Sequence, residues 1–232
     1  MVNLQENIRR VQERIRRAAE RVGRAPDEIT LVAVSKTFPV SIINEAIRLG
    51  IRHIGENRVQ EARQKFPEVD PAATRHMVGY LQRNKVKYAV QLFDMIQSVD
   101  RYPLAEEIHK RCEKLGKVMP VLIEVNTSGE ASKSGCAPEE ALSLLEQVDA
   151  LPHLQVRGFM TIAIFSDDPE KVRPCFVKLR EIYEEARARQ WQHARIDTLS
   201  MGMSSDFEIA IEEGSTMVRI GTAIFGPRTA IV

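Results

Sequence analysis

Lys36 ends the β-branched run Ile29-Thr30-Leu31-Val32-Ala33-Val34-Ser35, an unusual place for an amine. If Val32 and Val34 face an interior, the two-residue period of a strand points Lys36 the same way. Burial disfavours the charged form of a lysine and lowers its proton affinity. A neutral amine can form a Schiff base with an aldehyde. The position equally suits a lysine whose stem packs while its ammonium reaches solvent.

Two later segments offer groups that suit an anion. In Ser200-Met201-Gly202-Met203-Ser204-Ser205 the glycine permits close backbone approach, and Ser204 and Ser205 add hydroxyls and amides. Ser205-Asp206-Phe207-Glu208 has the form of a capping box, so a helix is expected to begin there with its free amides toward an anion. An N-cap without a ligand has the same form. Gly221-Thr222 supplies a second set of small donors. Arg219 lies between Val218 and Ile220. A guanidinium there needs an acceptor, either a carboxylate in a structural pair or a ring nitrogen of a ligand. A lysine that captures an aldehyde, a phosphate cup and a ring-nitrogen partner are the three demands of pyridoxal 5′-phosphate (PLP).

These residues need a scaffold that gathers them. Strand patterns fall at 31–35, 52–55, 75–79, 95–99, 119–125, 155–160, 196–200 and 217–220. Helical patterns lie between them, including 40–49, 101–115 (opened by Asp100, with Pro103 in the first turn), 138–148 and 169–189. A leading helix places Leu4, Ile8, Val11, Ile15, Ala18 and Val22 on one stripe, ending near Gly23 and Pro26. Its other face carries Arg9, Arg10, Arg14, Arg17 and Arg24 among glutamates, which reads as a solvated surface. Strand–helix alternation of this kind is expected of a single (β/α)8 TIM barrel over residues 1–232, an α/β fold. A doubly wound open sheet is the rival, weakened by the lack of any G-x-G-x-x-G after a strand. In the barrel, the C-terminal ends of the strands carry Ser35-Lys36-Thr37, Gly55-Glu56-Asn57, Gly79-Tyr80-Leu81-Gln82 and the segments above, where barrels keep their chemistry.

Composition narrows the function further. The 33 basic and 32 acidic side chains nearly cancel, which gives no reason to expect nucleic acid as a partner. Cys112, Cys136 and Cys175 are scattered, so neither a disulfide framework nor a zinc site is expected. The N-terminus lacks the apolar core of a signal peptide and no stretch nears ~18 apolar residues, so a cytoplasmic protein off the membrane is expected. Gly129-Glu130-Ala131-Ser132-Lys133-Ser134-Gly135 lacks the G-K-[ST] order of a phosphate loop, and Lys133 receives no role. His53, His76, His109, His153 and His193 lack paired metal-ligand spacing and are read as structural. Met201 and Met203 are expected to pack locally.

Taken in order, the segments Val34-Ser35-Lys36, Gly55-Glu56-Asn57-Arg58-Val59-Gln60-Glu61, His76-Met77-Val78-Gly79-Tyr80-Leu81-Gln82-Arg83-Asn84-Lys85 and Val125 to Gly135 resemble the pyridoxal-phosphate homeostasis proteins. Arg157-Gly158-Phe159-Met160, Leu199 to Asp206 and Val218 to Gly226 extend the resemblance over nearly the whole chain. These are relatives of the alanine racemase N-terminal barrel. The resemblance implies a PLP Schiff base on Lys36, with the phosphate held by Ser204, Gly221 and Thr222. It also implies Arg219 opposite the pyridine nitrogen and Asn57 lining the ring pocket. Arg75 and Tyr80 depart from the family pattern without touching those positions.

The sequence ends at Val232, soon after Gly226-Pro227-Arg228, so the second domain of a racemase, with its catalytic tyrosine, is not expected. Arginine beside the pyridine nitrogen also disfavours ring protonation and weakens the electron sink. The expectation is a PLP carrier with no catalysis of its own, a monomer that could serve PLP-dependent apo-enzymes. The alternatives are a weak PLP-dependent amino-acid racemase, or a Schiff-base aldolase acting on a sugar phosphate.

Overall fold

The computed structural model describes residues 3–166 and 168–227; the ends of the expected 1–232 domain, Arg228 among them, lie outside the described residues. Helix α1 (Leu4–Arg21) starts where the Asn3 side chain accepts from the Glu6 amide at 3.0 Å. Its buried stripe is Leu4, Ile8, Val11, Ile15, Ala18 and Ala19. Val22, expected on that stripe, is exposed, because the helix has already ended at Arg21. Nor is the arginine face wholly solvated. Arg14 makes a bidentate pair with Glu208, and Arg24 donates to the carbonyls of Ile211 and Ser215.

The strands are β1 (Thr30–Val34), β2 (His53–Glu56), β3 (Thr74–Met77), β4 (Met95–Val99), β5 (Met119–Glu124), β6 (Leu154–Met160), β7 (Thr198–Ser200) and β8 (Met217–Ile220). Each pairs in parallel with the next, and β8 pairs with β1, so the sheet closes into a barrel and the open-sheet rival falls. Helices α2 (Val40–Arg48), α5 (Tyr102–Leu115), α6 (Ala141–Asp149) and α7 (Arg173–Arg187) occupy the expected helical stretches. The last begins later than expected because Pro174, without an N–H, is tolerated only in a first turn. Asp100 does not cap α5; its carboxylate pairs with Arg101 instead.

Most of the apolar core lies between the strands and the surrounding helices. A second, smaller cluster of Val32, Met95, Leu122, Met160 and Met217 lies within the barrel. Two residues further along the same strands, period-two alternation brings Val34, Gln97, Glu124 and Arg219 to the inside. An apolar plug therefore sits beneath a polar layer, and that layer is the floor of the C-terminal mouth.

Candidate functional site

Lys36 occupies a turn two residues beyond the end of β1, and the residue is half-buried. Thr37 has φ 71°, a left-handed conformation that a β-branched residue adopts only at a cost of about 1–2 kcal/mol. The turn is clamped from α3 (Val59–Lys65). The Thr37 amide donates to Glu61 Oε1 at 2.5 Å. Lys65 Nζ donates to the Ser35 carbonyl at 3.1 Å, to Glu56 Oε1 at 3.1 Å and to Glu61 Oε1 at 2.5 Å. Ser35 Oγ donates to Glu56 Oε1 at 2.7 Å, and burial raises the Glu56 carboxyl above its ordinary range. Phe38, just past the turn, stacks on Phe225 with centroids 5.0 Å apart. The sequence reading named Glu56 and Glu61 but gave neither them nor Lys65 any task.

Register places the remaining site residues around Lys36. Val34 pairs with Gly55 and Ala33 with Ile220, so Asn57 lies on one side of the lysine turn and Gly221-Thr222 on the other. Gly221 lies close to β1: a Cβ there would sit 3.2 Å from the Val34 carbonyl oxygen, a tight contact. Asn57 passes beneath Gly79, whose Cβ would fall 2.4 Å from the Asn57 carbonyl oxygen. Ser204, in the loop after β7, accepts through its hydroxyl from the Ala223 amide at 3.3 Å, in the first turn of α9 (Thr222–Phe225). Asn57, Lys36, Gly221-Thr222 and Ser204 thus stand at the C-terminal ends of four consecutive strands, β2, β1, β8 and β7. The expected capping box at Ser205 does not form. Helix α8 (Phe207–Glu212) starts after Asp206, whose Oδ1 accepts from the Met203 amide at 2.6 Å, while Ser205 is exposed.

Arg219 is 4% exposed, and burial lowers its pKa to about 10. Nη1 donates to Ser200 Oγ and Nη2 to the Thr161 carbonyl, both at 2.7 Å. No carboxylate of the described residues pairs with it within 4 Å, so the structural ion pair left open by the sequence is not formed. Ser200 Oγ in turn meets Gln97 Oε1 at 2.7 Å, Gln97 Nε2 meets His76 Nδ1 at 3.0 Å, and His76 Nε2 meets His53 Nδ1 at 3.0 Å. Burial drives His76 down to about 3, with the charge of His53 adding to it, so the ring is neutral. Glu124, also inside the mouth, is pushed up to about 7 by burial and by Asp100, and its Oε2 is buried without a partner. The sequence showed polar residues on these strands; that they meet was not visible along any one of them.

Beside Asn57 a cavity of about 570 Å³ opens among Arg58, Gly79, Tyr80, Gln82 and Lys85. Lys133 donates to the Ala163 carbonyl and to Glu130, both at 2.7 Å, tying the loop after β5 to the loop after β6. Met201 is fully buried. Among the described residues no group of histidine, cysteine and acidic side chains could hold a metal, and the three cysteines are free and buried. Nor is any described helix long and apolar enough to cross a membrane.

Residues 3–229 match the family model of the alanine racemase N-terminal domain. A pyridoxal phosphate homeostasis protein of Aquifex aeolicus is 48% identical over 85% of this chain and 86% of its own length. The structure of PipY from Synechococcus elongatus with PLP bound superposes with a TM-score of 0.80 at 37% identity, over 93% of this chain and all of that one. An alanine racemase of Clostridium difficile aligns with a TM-score of 0.73 at 15% identity, over 99% of this chain and 58% of that one, a likeness of fold alone.

Proposed function

The chain belongs to the pyridoxal phosphate homeostasis proteins within the alanine racemase N-terminal-domain family, and from that premise we propose that it holds PLP as a Schiff base on Lys36, as a carrier. The residues of the mouth fit that group. A half-buried amine sits on a clamped turn, small donors at Ser204, Gly221 and Thr222 flank it, and Arg219 is a buried donor that no carboxylate of the described residues meets within 4 Å. When bound, PLP supplies an aldehyde for the lysine and a pyridine ring that withdraws electrons.

The protein's part is to bind and to restrain. Ser204 and the Gly221-Thr222 backbone would take the phosphate, and Asn57 would flank the ring. Arg219 carries the reading. A guanidinium has donors only and keeps its proton at physiological pH, so it serves a ring nitrogen that stays unprotonated. A ring kept in that form withdraws electrons weakly, which favours storage over turnover. The same reading takes the protein as a cytoplasmic monomer that supplies PLP-dependent apo-enzymes.

Borohydride treatment of PLP-loaded protein, followed by peptide mass spectrometry, tests the lysine. The label is expected on Lys36 and absent from Lys36→Ala; equal loading of the variant would overturn the assignment. Exchange of amino-acid α-protons no faster than with free PLP is expected. Exchange far above that rate would favour the racemase alternative.

A further inference from the structure

The polar chain through the barrel interior has a direction, and that direction leads from the cofactor side to the opposite mouth. Arg219 can only donate, so Ser200 Oγ must accept from it. The Ser200 hydroxyl proton is then directed to Gln97 Oε1 at 2.7 Å. With its oxygen committed, the Gln97 amide presents its N–H groups to His76 Nδ1 at 3.0 Å and to the Met217 sulfur at 3.2 Å. His76 therefore accepts at Nδ1, carries its proton at Nε2 and donates to His53 Nδ1 at 3.0 Å. The reverse polarity would turn the Gln97 oxygen toward a thioether lone pair and would take the acceptor away from the Ser200 proton. Ser200, Gln97 and His76 are each no more than 1% exposed, so water cannot make up the difference. His53, at the start of β2, is half-buried at the N-terminal end of the barrel.

We propose that Ser200, Gln97 and His76 are positioning residues whose one-way relay, ending on His53, holds the Arg219 guanidinium in the orientation in which it meets the cofactor's ring nitrogen. The relay rests on the PLP reading for its purpose and on the hydrogen bonds alone for its existence. Lost anchoring at Nη1 leaves Arg219 with one protein acceptor, the Thr161 carbonyl, and free to swing.

Long-range nitrogen-15 spectra of the histidine rings in cofactor-free protein at neutral pH read the relay directly. His76 is expected as the Nε2–H tautomer in the unaltered protein. It is expected to gain a proton at Nδ1 in Gln97→Glu, where a carboxylate replaces the donor. An Nδ1–H tautomer in the unaltered protein would overturn the relay. PLP titrations then read its consequence. Ser200→Ala should raise the Kd about tenfold and shift the visible absorption maximum, and an unchanged Kd and maximum would overturn the positioning role. If the unaltered protein takes up no PLP, the cofactor reading fails, while the tautomer still decides whether the relay exists.

Discussion

Arg219 and Glu124 act on each other's protons inside the barrel mouth without forming an ion pair within 4 Å. Each charge favours the charged form of the other, yet burial outweighs both: Arg219 is lowered to about 10 and Glu124 raised to about 7. A buried pair of opposite charges normally closes into contact to recover the solvation it has lost. Here the guanidinium is turned to Ser200 and Thr161, which leaves Glu124 short of a counter-charge.

Glu124 should make the cofactor-free protein less stable as pH rises. Its folded pKa lies above the ordinary value of 4.5, so the folded state binds the proton more tightly than the unfolded state. That stabilisation is full below pH 4.5 and lost as pH climbs through about 7. The difference is worth about 3 kcal/mol. Urea melts of the protein and of Glu124→Gln, taken between these limits, should converge at low pH and separate at high pH in favour of the variant. Parallel curves would assign the pH dependence to other carboxyls such as Glu56 and Asp206, which burial also raises.

Removing the hydroxyl of Ser204 should weaken PLP retention about fivefold to tenfold, the worth of one hydrogen bond to an anion. Ser204→Ala also frees the Ala223 amide it now accepts from. A sound control is Arg9→Ala, whose side chain is 75% exposed, whereas Arg14 is tied to Glu208 and lies over Phe207 on α8. Equal affinities of the two variants, by absorbance titration, would rule Ser204 out of the phosphate cup.

Gly158→Ala is expected to abolish the fold or to cost more than about 3 kcal/mol. The residue has φ 143°, and a Cβ would fall 1.8 Å from the Thr198 carbonyl oxygen on the neighbouring strand. No side chain can yield there, since the obstacle is backbone. The readouts are soluble yield and Tm. A near-normal Tm would mean that β7 can slide, and Ser200 with it.

Asp149 holds the loop into β7 by accepting from the amides of Gln192, His193 and Ala194 at 2.7, 2.8 and 2.6 Å. Asp149→Ala strands all three donors and should cost about 4 kcal/mol, with Asp149→Asn costing about half of that. Denaturant midpoints of the two variants check the order, and a larger loss for asparagine would contradict it.

The sequence by itself determined the eight strands and the longer helices between them. An apolar run with a two-residue period states which face a residue occupies, and Met217 inside implies Arg219 inside. Boundaries moved by a residue or two at most strand ends, as at β1 and β2, because the last ladder bonds depend on the neighbouring strand. Gly202 was also legible as a place of close approach, whereas the close approach of Gly221 to Val34 was not, and the Ser205 capping box was a local pattern that Asp206 displaced.

Only the tertiary structure decided which inward residues meet. Five side chains, on β2, β3, β4, β7 and β8, join into one hydrogen-bonded line, and their partners are up to 103 residues apart in the chain. Period along a strand sets a face but carries no information about the stagger between strands, which barrel closure imposes. For the same reason the clamp of Glu61 and Lys65 on the lysine turn, and the isolation of Glu124, had no signal in spacing. The direction of each proton follows from the partner it meets, and those partners exist only once the barrel is shut.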